Sequence, residues 1–157
     1  MINLANAPAP IVNGARNECS RIFRNAGITI DWLADAQPHI DELTMFISSI
    51  PTRDAPPHAL GYVMRSPTGD AAVVVWSRVR PLVEQGTPAF TVLGRTMAHE
   101  LGHLLLPDEP HSPVGLMRAR WNERDLRTQA AAAFFLTAAE GKEMRCELMR
   151  RDQAEDN

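Results

Sequence analysis

At 157 residues, 45% hydrophobic and 22% charged, the chain has the size and composition of one globular domain with its own core. A formal net charge of −3 gives no reason to expect nucleic acid or an anionic membrane surface as a partner. No apolar run approaches the roughly 20 residues of a membrane span, and the expectation is one monomeric domain over residues 1–157.

The opening "MINLANAPAPIVNG" has neither the basic nor the apolar region of a signal peptide, and residues 1–10 read as a flexible lead-in. In "VNGARNECSRIFRNAG", Val12, Ala15, Cys19, Ile22, Phe23 and Ala26 recur at helical spacing, and Gly27 closes the run. "ITIDWLA" alternates Ile28, Ile30 and Trp32 with Thr29 and Asp31, the pattern of a half-buried strand. "LTMFISSI" is a second strand candidate, and "PTRDAPPH", with three prolines in eight residues, is a loop. "LGYVMRSPTGDAAVVVWSRV" reads as two strands joined by a turn at Ser66–Asp70, the second, Ala72–Trp76, buried on both faces.

The next segment, "GTPAFTVLGRTMAHELGHLLLP", predicts a helix over 88–106, with Thr87 as N-cap, Pro88 in its first position and Pro107 as its stop. Arg118, Arg120, Arg124 and Arg127, interleaved with Glu123 and Asp125, read as a solvated helix face. Two tail helices follow, one after Asn122 and one at Thr137, where Glu140 completes a capping box. The sum is an α+β domain with a single mixed sheet, an N-terminal helix, a central helix and C-terminal helices. Cys19 and Cys146 are too few for a disulfide scaffold. They form either one bridge between the first and last helices or two buried thiols, because sequence does not set their separation.

The chemistry concentrates in the 88–106 helix. At about 100° per residue, Phe90, Leu93, Met97, Leu101 and Leu104 form one apolar stripe. His99 and His103 fall on nearly the opposite side, one turn apart, with Glu100 on the flank between. Two imidazoles so spaced suit a tetrahedral zinc ion at about 2.0–2.1 Å. A carboxylate beside the first histidine is then placed for proton transfer to and from water. H-E-x-x-H on a helix is the zinc-peptidase pattern.

"HELGHLLLPDEPHSPVGLM" resembles the metzincin zinc peptidases, whose pattern HExxHxxGxxH precedes a buried methionine turn. The match covers His99, Glu100 and His103, with Met117 as the turn methionine, over about 20 residues. The resemblance implies a zincin-like fold, a Zn2+ cofactor, a protein or peptide substrate, hydrolysis with Glu100 as general base and then acid, and a secreted protein. Leu106 and Pro107 replace the glycine exit of the family. Leucine resists the left-handed conformation, and a residue before proline is driven to extended geometry, so a longer return loop is expected. His111 lies two residues past the third-ligand position of the family and fits such a loop. Glu109 holds that position by count, and Asp108 in "LPD" is similar to the third ligand of small snapalysin-like peptidases. His111 is the expected third ligand because imidazole matches the other two, with Asp108 and Glu109 as alternatives.

No tyrosine follows Met117; the only one is Tyr62, on a predicted strand. Arg118, Arg120 and Trp121 lie near the turn in sequence and acquire no role from it. Either "AAVVVWSRV" or "LGYVM" could be the sheet edge beside a bound substrate. Two other readings stand beside the secreted endopeptidase: a cytoplasmic HExxH protease acting on one partner, and a non-catalytic zinc-binding domain.

Overall fold

The computed structural model describes residues 1–33, 42–53, 55–66, 69–83, 88–106, 111–121, 125 and 133–155. Over these the chain is α+β, with one mixed four-stranded sheet and four helices. The elements are β1 (Ile2–Asn3), α1 (Ala9–Asn25), β2 (Thr44–Ser48), β3 (Gly61–Met64), β4 (Ala71–Val75), α2 (Trp76–Val83), α3 (Ala89–Leu105) and α4 (Ala138–Glu155).

The sheet order is β1-β2-β4-β3. β1 runs parallel to β2 and β2 parallel to β4, while β3 returns antiparallel along the outer side of β4. Register gives the two faces different work. Met45 pairs with Ala72 and Ile47 with Val74, and these four belong to the main core with α1 and α3. Phe46, Val73, Val75 and Tyr62 line the opposite face, together with Ala55. All five residues of β4 are buried, as a strand between two neighbours and covered on both faces should be. The sheet edge beside it is β3, "GYVM", rather than "AAVVVWSRV".

Four expectations change. Residues 1–10, read as a lead-in, hold β1 and the first two residues of α1. Residues 28–33 keep the alternation of Ile28 inside against Thr29 and Asp31 outside, yet form no strand. The ladder position beside β2 is taken by β1, and Leu33 instead accepts a bond from the Met1 amino group at 3.1 Å. β4 stops at Val75, and Trp76 opens α2 rather than ending a strand. Cys19 is a buried free thiol on α1 and Cys146 an exposed one on α4, so neither a bridge nor a pair of buried thiols forms. Thr87, and all but Asp125 of the helix expected after Asn122, lie outside the described residues.

α3 is the centre of the molecule. Pro88 is the N-cap rather than the first helical residue, so the helix starts one residue later than expected; the cap has φ −58° and ψ 131° and no side-chain capping bond. Leu93, Met97, Leu101 and Leu104 are buried as the stripe requires, but Phe90 is 43% exposed. The histidine side is buried too: every residue from Val92 to Gly102 is buried, because β3, β4, α1 and α4 surround this helix. The approach of α1 is close. A β-carbon at Gly94 would lie 2.6 Å from the Ala15 carbonyl oxygen and 2.8 Å from Glu18 Cβ, and one at Gly14 would lie 2.7 Å from Phe90 Cβ. The same crossing buries Arg95, only 2% exposed, beside Glu18 at 3.4 Å and over the Phe134 ring at 4.0 Å.

The C-terminal end of α3 is finished by arginines from elsewhere in the fold. Arg65 donates to the His103 carbonyl at 2.8 Å, and Arg151 of α4 donates to the Leu104 carbonyl at 3.2 Å. Asp70 bridges the two guanidinium groups, at 3.2 Å from each. These cations satisfy carbonyls that the helix itself leaves open and complement its negative end. Leu106 follows with φ −126°, so the exit avoids the left-handed turn that leucine resists.

Candidate metal centre

Consecutive turns of α3 present His99 and His103, and the segment after the helix brings back His111. One ring nitrogen from each of the three lies within 4.8 Å of the others, so together they could hold a metal ion. The rings of His99 and His103 meet edge to face at 4.6 Å, those of His103 and His111 at 4.9 Å, and His99 and His111 stack at 5.6 Å. Asp108 and Glu109, the alternative third ligands, lie outside the described residues.

The tautomer of His99 follows from its partner. Nδ1 lies 2.9 Å from the Leu116 carbonyl oxygen, which only accepts, so Nδ1 carries the proton and Nε2 the lone pair. That Nε2 lies 3.0 Å from His103 Nε2. Two nitrogens on one tetrahedral zinc ion would be about 3.3 Å apart, close to the separation already present. Burial pushes His99 (9% exposed) down to about 4, the Leu116 carbonyl opposing and His111 reinforcing the shift. His103 also falls to about 4, through burial and then the charges of His99, His111 and Arg65. Burial lowers His111 as well. Neutral imidazole is the form that binds a metal.

The turn after His111 is built by three backbone features. Ser112 N–H donates to the Met117 carbonyl at 2.9 Å, Leu116 N–H donates to the Phe135 carbonyl at 2.8 Å, and Gly115 takes φ +74°. That positive φ is one glycine tolerates. The turn sets Met117 beneath α3: a β-carbon at Gly102 would lie 2.5 Å from its sulfur. Met117 is fully buried.

Glu100 faces the sheet. Gly61 of β3 pairs with Val74, so its missing side chain would point at α3. A β-carbon there would lie 2.6 Å from Glu100 Cγ and 2.7 Å from Oε1. The Glu100 side chain is 5% exposed, and burial alone pushes its carboxyl up to about 8. A desolvated carboxyl on the residue next to His99 in α3 is a group suited to taking and returning a proton near neutrality.

Two residues around the centre make contacts that the sequence did not announce. Trp121 Nε1 donates to the same Leu116 carbonyl at 3.1 Å, and its ring meets His99 edge to face at 5.3 Å. Glu140 was legible as a capping partner: Thr137 N–H donates to its Oε2 at 2.6 Å, and its own N–H donates to Thr137 Oγ1 at 3.2 Å. Its other oxygen accepts from the Ser112 hydroxyl, which no spacing rule announces. Tyr62 does not join the centre; its ring packs on the opposite face of the sheet, and its hydroxyl accepts from Thr52 N–H at 3.2 Å. Arg118 pairs with Asp125 at 3.0 Å. The chain matches no protein-family model, no curated protein and no solved structure with which it was compared.

Proposed function

We propose that this chain is a zinc-dependent metallopeptidase of zincin-like fold, with His99, His103 and His111 as the ligands, Glu100 as general base and acid, and Met117 in the methionine turn. The observation that carries this reading is the conjunction of three convergent neutral imidazoles with a buried carboxyl in the next position of the same helix. An all-nitrogen donor set suits zinc better than magnesium or calcium, which prefer oxygen.

When bound, zinc supplies a Lewis acid that polarises a carbonyl and acidifies water. Glu100 accepts the proton that the attacking water loses and afterwards delivers it to the departing peptide nitrogen, so the carboxyl ends the cycle as it began. The Leu116 carbonyl holds His99 in the tautomer that keeps Nε2 free. β3, at the sheet edge and against Glu100, offers its outer backbone groups to an extended peptide, which would add to the sheet as a further strand. The close approach of the Gly61 backbone to Glu100 then sets the scissile bond beside the proton carrier.

The test combines metal content with digestion of casein or gelatin, with and without a chelator, on the parent chain and on Glu100→Gln. Stoichiometric zinc, chelator-sensitive digestion and a zinc-loaded but inert Glu100→Gln are expected. Full activity in Glu100→Gln would refute the mechanism. Zinc without digestion of any general substrate would favour a protease restricted to one partner or a non-catalytic zinc domain.

A further inference from the structure

Of the three imidazoles, His111 alone does not sit on α3, and it is exposed. Among the described residues its ring nitrogens make no hydrogen bond to protein, whereas Nδ1 of His99 is fixed by Leu116. Beyond the packing of its ring on His99 and His103, the described support for its position is the backbone that follows it. Ser112, the next residue, is held twice: its N–H by the Met117 carbonyl and its hydroxyl by Glu140. Glu140 is only 3% exposed, and the capping box fixes its carboxylate at the first turn of α4. A charge-assisted O–H to carboxylate bond is stronger than one between neutral groups.

We propose that Glu140 and Ser112 form the positioning pair for His111, so that the N-terminus of α4 holds the third ligand in register with the two on α3. The metal side of this assignment rests on the zinc reading above; the loop side does not. The capping box supplies the rigidity, since one carboxylate satisfies the helix through Oε2 and the loop through Oε1. The Leu116 N–H bond to Phe135, just upstream of α4, ties the far side of the same turn to the same support.

Ser112→Ala removes the cross-link and leaves the capping box intact; Ser112→Thr keeps the hydroxyl. Amide hydrogen exchange on the metal-free chain reads the loop directly. Exchange of the Ser112 and Leu116 amides is expected to quicken about five- to tenfold in Ser112→Ala, the factor that loss of one net hydrogen bond gives. The amides within α3 and α4 should stay unchanged, and Ser112→Thr should restore the parent rates. Zinc affinity, measured against a competing chelator, is expected to fall about tenfold in Ser112→Ala and to recover in Ser112→Thr. Unaltered exchange in Ser112→Ala would overturn the assignment. So would faster exchange spread over α4, which marks a general loss of structure. A parent chain that takes up no zinc would overturn the metallopeptidase reading instead, with the exchange arm still deciding the loop.

Discussion

Gly61 and Glu100 occupy the same space: the carboxylate of Glu100 fills the volume that any side chain at position 61 would need. The strand edge and the proposed proton carrier are thus fitted to one another across the sheet–helix interface. Gly61→Ala would bring its methyl 2.7 Å from Oε1 of Glu100 and 2.6 Å from the Val73 carbonyl, a backbone atom that has no rotamer through which to yield. Peptidase activity is expected to fall about 100-fold, the cost of an ångström-scale misplacement. Zinc stoichiometry should stay that of the parent. Equal activity in parent and Gly61→Ala would show that the position of Glu100 is immaterial.

Trp121 offers a second test of how the centre is held. Trp121→Phe keeps an aromatic ring against His99 and Phe134 but deletes the N–H that shares the Leu116 carbonyl with His99. Loss of such an outer partner typically weakens metal binding by about tenfold or more. Competition with a chelating dye measures this, and circular dichroism checks that the variant is folded. An unchanged zinc affinity would reduce Trp121 to packing.

Glu18 and Arg95 make a prediction about stability alone. Glu18→Ala leaves the Arg95 guanidinium buried over Phe134 without the carboxylate at 3.4 Å, and it also frees Arg21 from its 2.8 Å bond. Loss of that charge-assisted bond is expected to cost about 2 kcal/mol, read as a drop in the urea midpoint. Arg95→Met, which removes the charge, should cost markedly less.

The metal-free chain should lose stability at both ends of the pH scale. His99 and His103 are depressed from 6.5 to about 4. Their contribution is fully present above about 6.5 and disappears as pH falls through about 4, because the unfolded chain then binds protons that the folded one refuses. Glu100 is raised from 4.5 to about 8, so its contribution is complete below about 4.5 and vanishes as pH rises through about 8. Thermal melts across this range should show both slopes. Glu100→Gln is expected to remove the alkaline slope and leave the acid one.

What the sequence disclosed was local. α1, the apolar stripe of α3 and the Thr137–Glu140 box follow from spacing, because a helix brings residues three and four apart together whatever surrounds it. The one-turn spacing of His99 and His103 was legible for the same reason, and the expectation that His111 joins them came from the chemistry of the ligand set. What stayed hidden depends on competition between distant segments. Ile28–Leu33 alternates like a strand, but the place beside β2 belongs to Ile2–Asn3, and no local pattern announces a rival. The histidine side of α3 is buried because the segment from His111 to Trp121 returns over it; a two-faced helix was expected from a pattern that counts apolar residues only. Trp121 acts through a carbonyl, Leu116 O, which every residue type possesses, so its partner leaves no mark in the sequence.

The unequal settings of the two cysteines have a practical consequence. Cys19 is sealed between α1 and the core, and burial holds its thiol far above the usual range, where it is unreactive. Cys146 stands in solvent on α4, two turns from the carboxylate that grips Ser112. A maleimide dye or nitroxide should therefore attach at one place in the native chain, giving a reporter on that helix with no engineered handle.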